Sequence, residues 1–213
     1  PVPRRRTDRT AMHRVTLAGP DDFEGWRDAA RALALAAIPA DAILWDVAGS
    51  AAPDLFGSDA TPLPATPADA AFSVPRAFVE LAQSAILHRD PARFAMLYSL
   101  LLAVRAVPGR MEDRADPLLR RVEDLAKAVR RDIHKMRAFV RFRELDEGDG
   151  PRFIAWFEPD HHIVRANAGF FTRRFASMRW SILTPEVSIH WDGDILTEGP
   201  GAQRGDAPAE DPV

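Results

Sequence analysis

The residues best equipped for chemistry gather in the second half of the chain. Glu158-Pro159-Asp160-His161-His162 packs two carboxylates and two imidazoles into five positions. Such a run could position a general base or contribute metal ligands, because both tasks need carboxylate or imidazole groups converging on one point. Neighbours in sequence seldom converge on one ion without a third group, so the plainer reading is a cap for the following helix, and no metal site is assigned. His134 lies in a run of cations, where a neutral imidazole could act as a base or as a donor to phosphate. The plainer reading there is a surface histidine. Glu158 is the carboxylate best placed to work with it, so His134 and Glu158 are the catalytic candidates. Asp160, His161 and His162 are further candidates, as are His88 and Arg89 beside Asp90-Pro91, where capping of the helix break is the plainer reading.

Around His134 the charge is lopsided. Lys127, Arg130, Arg131, Lys135, Arg137, Arg141 and Arg143 face a single acid, Asp132, in a chain whose formal net charge is −3. With Trp156, Arg173 and Arg174 they make a candidate nucleic-acid surface, since cations neutralise phosphates and aromatic rings stack on unpaired bases. A solvated helix face balanced by acids elsewhere is the competing reading.

Those residues need elements to hold them. Leu118, Val122, Leu125, Val129, Ile133 and Met136 recur every three or four positions, one face of a helix that Asp116-Pro117 opens. Lys127, Arg131 and His134 fall opposite that stripe. Phe139, Val140, Phe142 and Leu145 then read as a strand with Arg141 and Arg143 on one face, Glu147 to Pro151 as a turn, and Arg152 to Phe157 as a second strand. Ile163 to Phe175 is helix-compatible, with Phe170, Phe171 and Phe175 inward. Trp180–Leu183 and Val187–Trp191 form another hairpin. Upstream, Val15–Leu17, a helix through Phe23, Trp26 and Leu33, and Ile43–Val47 make a β-α-β opening with the strands side by side. Two helices split at Asp90-Pro91 follow, the second apolar nearly all round and expected in the core. The fold class is therefore α+β: an N-terminal β-α-β unit, central helices, and a C-terminal α-ββ-α-ββ with an antiparallel sheet.

Residues 1–12 are basic and patternless and are expected to form a disordered arm. A single domain would run from 13 to 193, interrupted by a Pro/Ala-rich loop at 49–71, and 194–213 would be an acidic Gly/Pro-rich linker. The 213 residues include no cysteine, which excludes disulfides, a thiol nucleophile and cysteine-held zinc or iron–sulfur clusters in this chain. No apolar run approaches the roughly 20 residues needed to span a bilayer, and a cytoplasmic setting is expected. No phosphate-binding glycine loop or serine nucleophile elbow is present.

The stretches V-R-R-D-I-H-K-M-R-A-F-V-R-F-R, A-W-F-E-P-D-H-H-I and F-F-T-R-R-F-A-S-M-R-W-S-I-L-T-P, with F-E-G-W-R-D-A-A-R-A-L and H-R-D-P-A-R-F-A-M-L-Y upstream, resemble a known family. It is the DNA-repair-associated domain found N-terminal to UdgX-type uracil-DNA glycosylase domains, which also occurs alone beside a radical-SAM protein. The resemblance implies a DNA-repair accessory role, with DNA, a fused or associated glycosylase domain and a radical-SAM protein as partners. It also implies that the iron–sulfur cluster belongs to that glycosylase domain, leaving no cofactor in this chain. Glu198-Gly199-Pro200-Gly201 echoes a glycosylase loop but stands in a polar tail without room for such a fold. Two alternatives remain: an enzyme processing nucleic acid or nucleotides through His134 and the Glu158–His162 cluster, and a protein–protein adaptor.

Overall fold

A computed structural model describes residues 12–49, 62–65, 70–146 and 150–208. Most of the expected N-terminal arm, much of the Pro/Ala-rich loop, the tip of the 147–151 turn and the last five residues lie outside these. The chain divides into two compact units, one of residues 1–86 and 90–126, the other of 87–89 and 127–213.

In the first unit β1 (His13–Leu17) and β2 (Ile43–Val47) pair in parallel, His13 opposite Ile43 through Leu17 opposite Val47. Parallel neighbours need a crossover, and α1 (Phe23–Leu35) supplies it. Asp22 starts α1: its Oδ1 accepts the Gly25 amide at 2.8 Å and its Oδ2 the Ala18 amide at 3.0 Å. Helices α2 (Arg76–Ala85) and α3 (Arg93–Ala106) complete the unit together with the first turns of α4 (Pro117–Phe139). The expectation for α3 holds, with Phe94, Leu97, Tyr98, Leu100, Leu101 and Val104 all buried. Two polar groups at this core are satisfied internally, whereas the buried Trp45 Nε1 has no hydrogen-bond acceptor among the described residues. Trp26 Nε1 donates to the Phe94 carbonyl, and the Tyr98 hydroxyl, its pKa pushed up to about 12 by burial, donates to the Ile38 carbonyl at 2.7 Å. Arg93 is 3% exposed, its guanidinium spread over the carbonyls of Ile86, Asp90 and Pro20.

In the second unit α4 continues from Lys127 and is followed by β3 (Arg143–Asp146), β4 (Pro151–Trp156), α5 (Val164–Arg174), β5 (Trp180–Leu183), β6 (Val187–Trp191) and β7 (Leu196–Pro200). The sheet order is β3-β4-β5-β6-β7. The β3–β4 and β5–β6 pairings are antiparallel, as expected, and β6–β7 adds a third antiparallel pair; β4–β5 is parallel, with α5 as its crossover. The architecture is α+β throughout. No helix among the described residues is long and apolar enough to cross a membrane.

One sheet face packs on α4 and α5. Ala155, Trp180, Ile182 and Ile189 meet Val129, Met136, Ile163, Ala168 and Phe171 in a buried cluster. Strand residues alternate between faces, so Arg143, Arg152, Ile154, Trp156, Ser181, Leu183, Ser188 and His190 lie on the other face.

Three details differ from the sequence reading. Helix α4 runs to Phe139, and β3 begins only at Arg143, so Arg141 is not a strand residue. Its guanidinium instead donates to the carbonyls of Ala138 and Val140, groups left unpaired where a helix ends. The inward stripe of α4 is Leu119, Val122, Leu125, Ala126, Val129, Asp132 and Met136, with Leu118 and Ile133 only half-buried. Leu196–Pro200, assigned by composition to a linker, is strand β7. It is held by Arg165 of α5, which donates to both carboxylate oxygens of Glu198 at 2.9 Å. A Cβ at Gly201 would overlap the Pro185 carbonyl. The Glu-Gly-Pro-Gly run therefore serves strand packing.

Candidate functional site

The exposed side of α4 carries Lys127, Arg130, Arg131 and His134 at i, i+3, i+4 and i+7, one helical face about 10 Å long. None of the three cations has a carboxylate partner among the described residues. Several of the remaining candidates are engaged. Lys135 Nζ lies 3.0 Å from Asp160 Oδ2. Arg137 donates to Asn167 Oδ1 at 2.7 Å and lies over the Phe170 ring. Arg174 lies over Phe175, while Arg173 is exposed on α5. Because α4 packs on the inner sheet face, its cations and the outer-face Arg143 and Trp156 point to opposite sides of this unit. The helix and hairpin do not form one continuous surface.

The Glu158–His162 run draws together residues far apart in sequence. Its anchor is Asp132, the single acid of the basic stretch, which turns inward and is 2% exposed. Asp132 Oδ2 accepts the His161 amide at 2.9 Å, and the Asp160 amide adds a second hydrogen bond. Burial raises the Asp132 pKa, against the lowering effect of these amides. Lys135, one turn on, holds Asp160 and lowers its pKa chiefly through that hydrogen bond.

On the other side of the run the Leu87 carbonyl accepts the His162 amide at 2.9 Å. The rings of His88 and His161 lie 4.1 Å apart, and the Arg89 amide donates to His161 Nδ1 at 3.4 Å. Burial holds the His161 pKa below the usual imidazole range, so the neutral ring accepts at Nδ1 and carries its proton at Nε2. The Arg89 guanidinium reaches the Pro159 carbonyl and, at 2.9 Å, Glu186 Oε1, whose other oxygen lies 2.8 Å from His162 Nδ1.

His88, Arg89, Asp160, His161 and His162 thus form one cluster, joined by Asp132, Lys135 and Glu186. Asp132 and Glu186 are the members that sequence reasoning missed. A signal for Asp132 existed: position 132 lies three residues after Val129 and four before Met136, on the inward stripe. Nothing local marked Glu186, which the β5–β6 turn delivers.

The catalytic candidates are not joined to each other. Glu158 accepts the Trp156 Nε1 proton at 2.8 Å, and His134 stands exposed on α4 without a hydrogen bond, ion pair or ring contact among the described residues. Among the described residues no group of three or more His, Cys, Asp and Glu side chains is arranged to hold a metal ion.

The first unit contains a separate cavity of about 370 Å³, lined mainly by apolar and aromatic side chains that include Phe23, Trp26, Phe72 and Phe78. Arg31 borders it, donating to the Ala70 carbonyl at 2.9 Å.

No curated protein and no solved structure matches the chain. A family model described as a domain of unknown function, DUF4130, matches residues 91–206, which include α3, α4, the whole five-stranded sheet and the Glu158–His162 cluster. That match covers more than half of the sequence, and the chain belongs to the DUF4130 family.

Proposed function

We propose that this protein is a DNA-repair accessory module that binds nucleic acid through the basic face of α4, acting beside a UdgX-type uracil-DNA glycosylase and a radical-SAM protein. The observation that carries the reading is the stripe of Lys127, Arg130 and Arg131, exposed in register and without carboxylate partners among the described residues. Cations of one sign along a helix face attract a polyanion, and each phosphate they neutralise releases a counterion.

Three such contacts on duplex DNA give a log K against log salt slope of about −2.7. The test is an anisotropy titration of a labelled duplex with wild-type protein and with Lys127→Glu/Arg130→Glu/Arg131→Glu. The variant is expected to lose both affinity and salt dependence with its melting curve intact. Equal affinity in the two proteins would discard this reading and favour a protein–protein adaptor.

One observation supports a second reading, an enzyme acting on a nucleic acid or nucleotide: the assembly of His88, Arg89, His161 and His162, with Glu186 holding Arg89 and His162. Its readout is turnover of an activated phosphodiester such as bis(p-nitrophenyl) phosphate, and its refutation is an equal rate for His161→Ala.

A further inference from the structure

The face of the five-stranded sheet turned away from α4 and α5 has its own composition. Register places Arg143 and Leu145 of β3, Arg152, Ile154 and Trp156 of β4, Ser181 and Leu183 of β5, Ser188 and His190 of β6, and Thr197 and Gly199 of β7 on it. None of these positions is acidic. Its larger side chains are half-buried or exposed, whereas inner-face Trp180, Ile182 and Ile189 are completely buried. The short helical turn Arg204–Asp206 reaches this face at Trp156, and Ser181 and Ser188 on it are each only 2% exposed.

Two of its groups are already held in place. Trp156 is pinned at its ring nitrogen by Glu158, with the Arg204 guanidinium 5.9 Å from the ring centroid. Arg152 donates to Ser181 Oγ at 3.2 Å, and His190 Nδ1 lies 2.8 Å from the same oxygen. His190 fits there because position 199 is glycine: a Cβ would stand 2.9 Å from His190 Nε2. Trp156 and Arg152 are four residues apart on one strand face, about 13 Å along β4. Fixed aromatic and guanidinium groups interleaved with small and aliphatic side chains suit a chain whose bases are unpaired, since a stacking ring cannot reach bases closed within a duplex.

We propose that this outer face binds single-stranded nucleic acid, with Trp156 stacking on an unpaired base and Arg143 and Arg152 holding flanking phosphates. The surface lies opposite the α4 stripe, so the two readings stand or fall separately.

The test is an anisotropy titration of the full chain with fluorescein-labelled 20-nucleotide oligo-dT, oligo-U and a duplex of equal length. Trp156→Ala is expected to weaken single-strand binding about tenfold and to leave duplex binding unchanged, while Trp156→Phe keeps most of the affinity. Arg152→Glu or Arg143→Glu should weaken it too and flatten the salt slope by about 0.7 for each phosphate no longer neutralised. A stronger effect on oligo-dT or on oligo-U identifies DNA or RNA as the ligand. Single-strand affinity within twofold of wild type in Trp156→Ala overturns the proposal. If that variant fails to fold, unchanged affinity in Arg143→Glu, on the edge strand, overturns it equally. The Lys127→Glu/Arg130→Glu/Arg131→Glu protein separates the two sites: it should lose the duplex and keep sensitivity to Trp156.

Discussion

Replacing Asp132 with alanine is the sharpest probe of the His/Asp cluster. The carboxylate is 2% exposed and accepts amides from both His161 and Asp160. Alanine would leave the part-buried His161 amide without its acceptor, at a cost of about 1–3 kcal/mol, and the more exposed Asp160 amide would turn to water at little cost. Removing a charge that burial already disfavours offsets part of that cost. The net expectation is a loss of about 1–2 kcal/mol. Asp132→Asn retains one acceptor and should lose about half as much. Two-unit chains need not unfold in one step, so the assay is native-state hydrogen exchange at the Asp160 and His161 amides alongside a urea melt. Both amides should exchange far faster in Asp132→Ala. Protection equal to wild type, with stability changed by less than about 0.5 kcal/mol, would refute the assignment of Asp132 as the anchor. The pH dependence has a definite sign. The folded-state pKa is raised, so the stability of wild type relative to Asp132→Asn is greatest below about pH 3.9 and is lost as pH rises through the folded value.

Other outcomes follow from the geometry of the second unit. Gly201→Ala should destabilise the protein by about 1–3 kcal/mol in thermal or urea melts, because its Cβ overlaps a backbone carbonyl that cannot swing aside. Lys135→Met should cost less than about 1 kcal/mol, since both partners of its ion pair are largely exposed. The same change should raise the Asp160 pKa in a carboxylate NMR titration. That lowered pKa contributes stability above the ordinary carboxylate range and loses it as pH falls through the folded value. Ile133→Asp, which places a charge against the core cluster, should lower the melting temperature by many degrees, while exposed Arg131→Ala leaves it in place.

The α+β class, the β-α-β opening and the buried α3 were legible because each rests on apolar period, the strongest local signal. The end of α4 was not. Phe139, Val140 and Phe142 are β-formers by composition, yet Val140 is buried against the core at the helix end and its amide still bonds to the Met136 carbonyl. Strand β7 was hidden for the opposite reason, because Leu-Thr-Glu-Gly-Pro has turn composition and is a strand only because β6 and Arg165 hold it. At the candidate site the members close in sequence were identifiable as a group. Their joining to His88 and Arg89 was not, since a contact across some 70 positions leaves no periodic trace. Nor did alternation alone reveal that Trp156 faces out while Trp180 and Trp191 face in; that followed only from the pairing register.

Helix α3 has a consequence for how the protein is cut. The segment matched by the DUF4130 family starts at residue 91, two positions before α3, yet α3 is stabilised from upstream: by Trp26 at the Phe94 carbonyl, by Ile38 at Tyr98, and by Ala34, whose carbonyl accepts from Arg105. A polypeptide begun at 91 would expose Phe94, Leu97, Tyr98 and Leu101 to water and should aggregate on expression. One begun at Met12 keeps their cover. The stretch recognisable by descent is thus shorter than the stretch that must fold together.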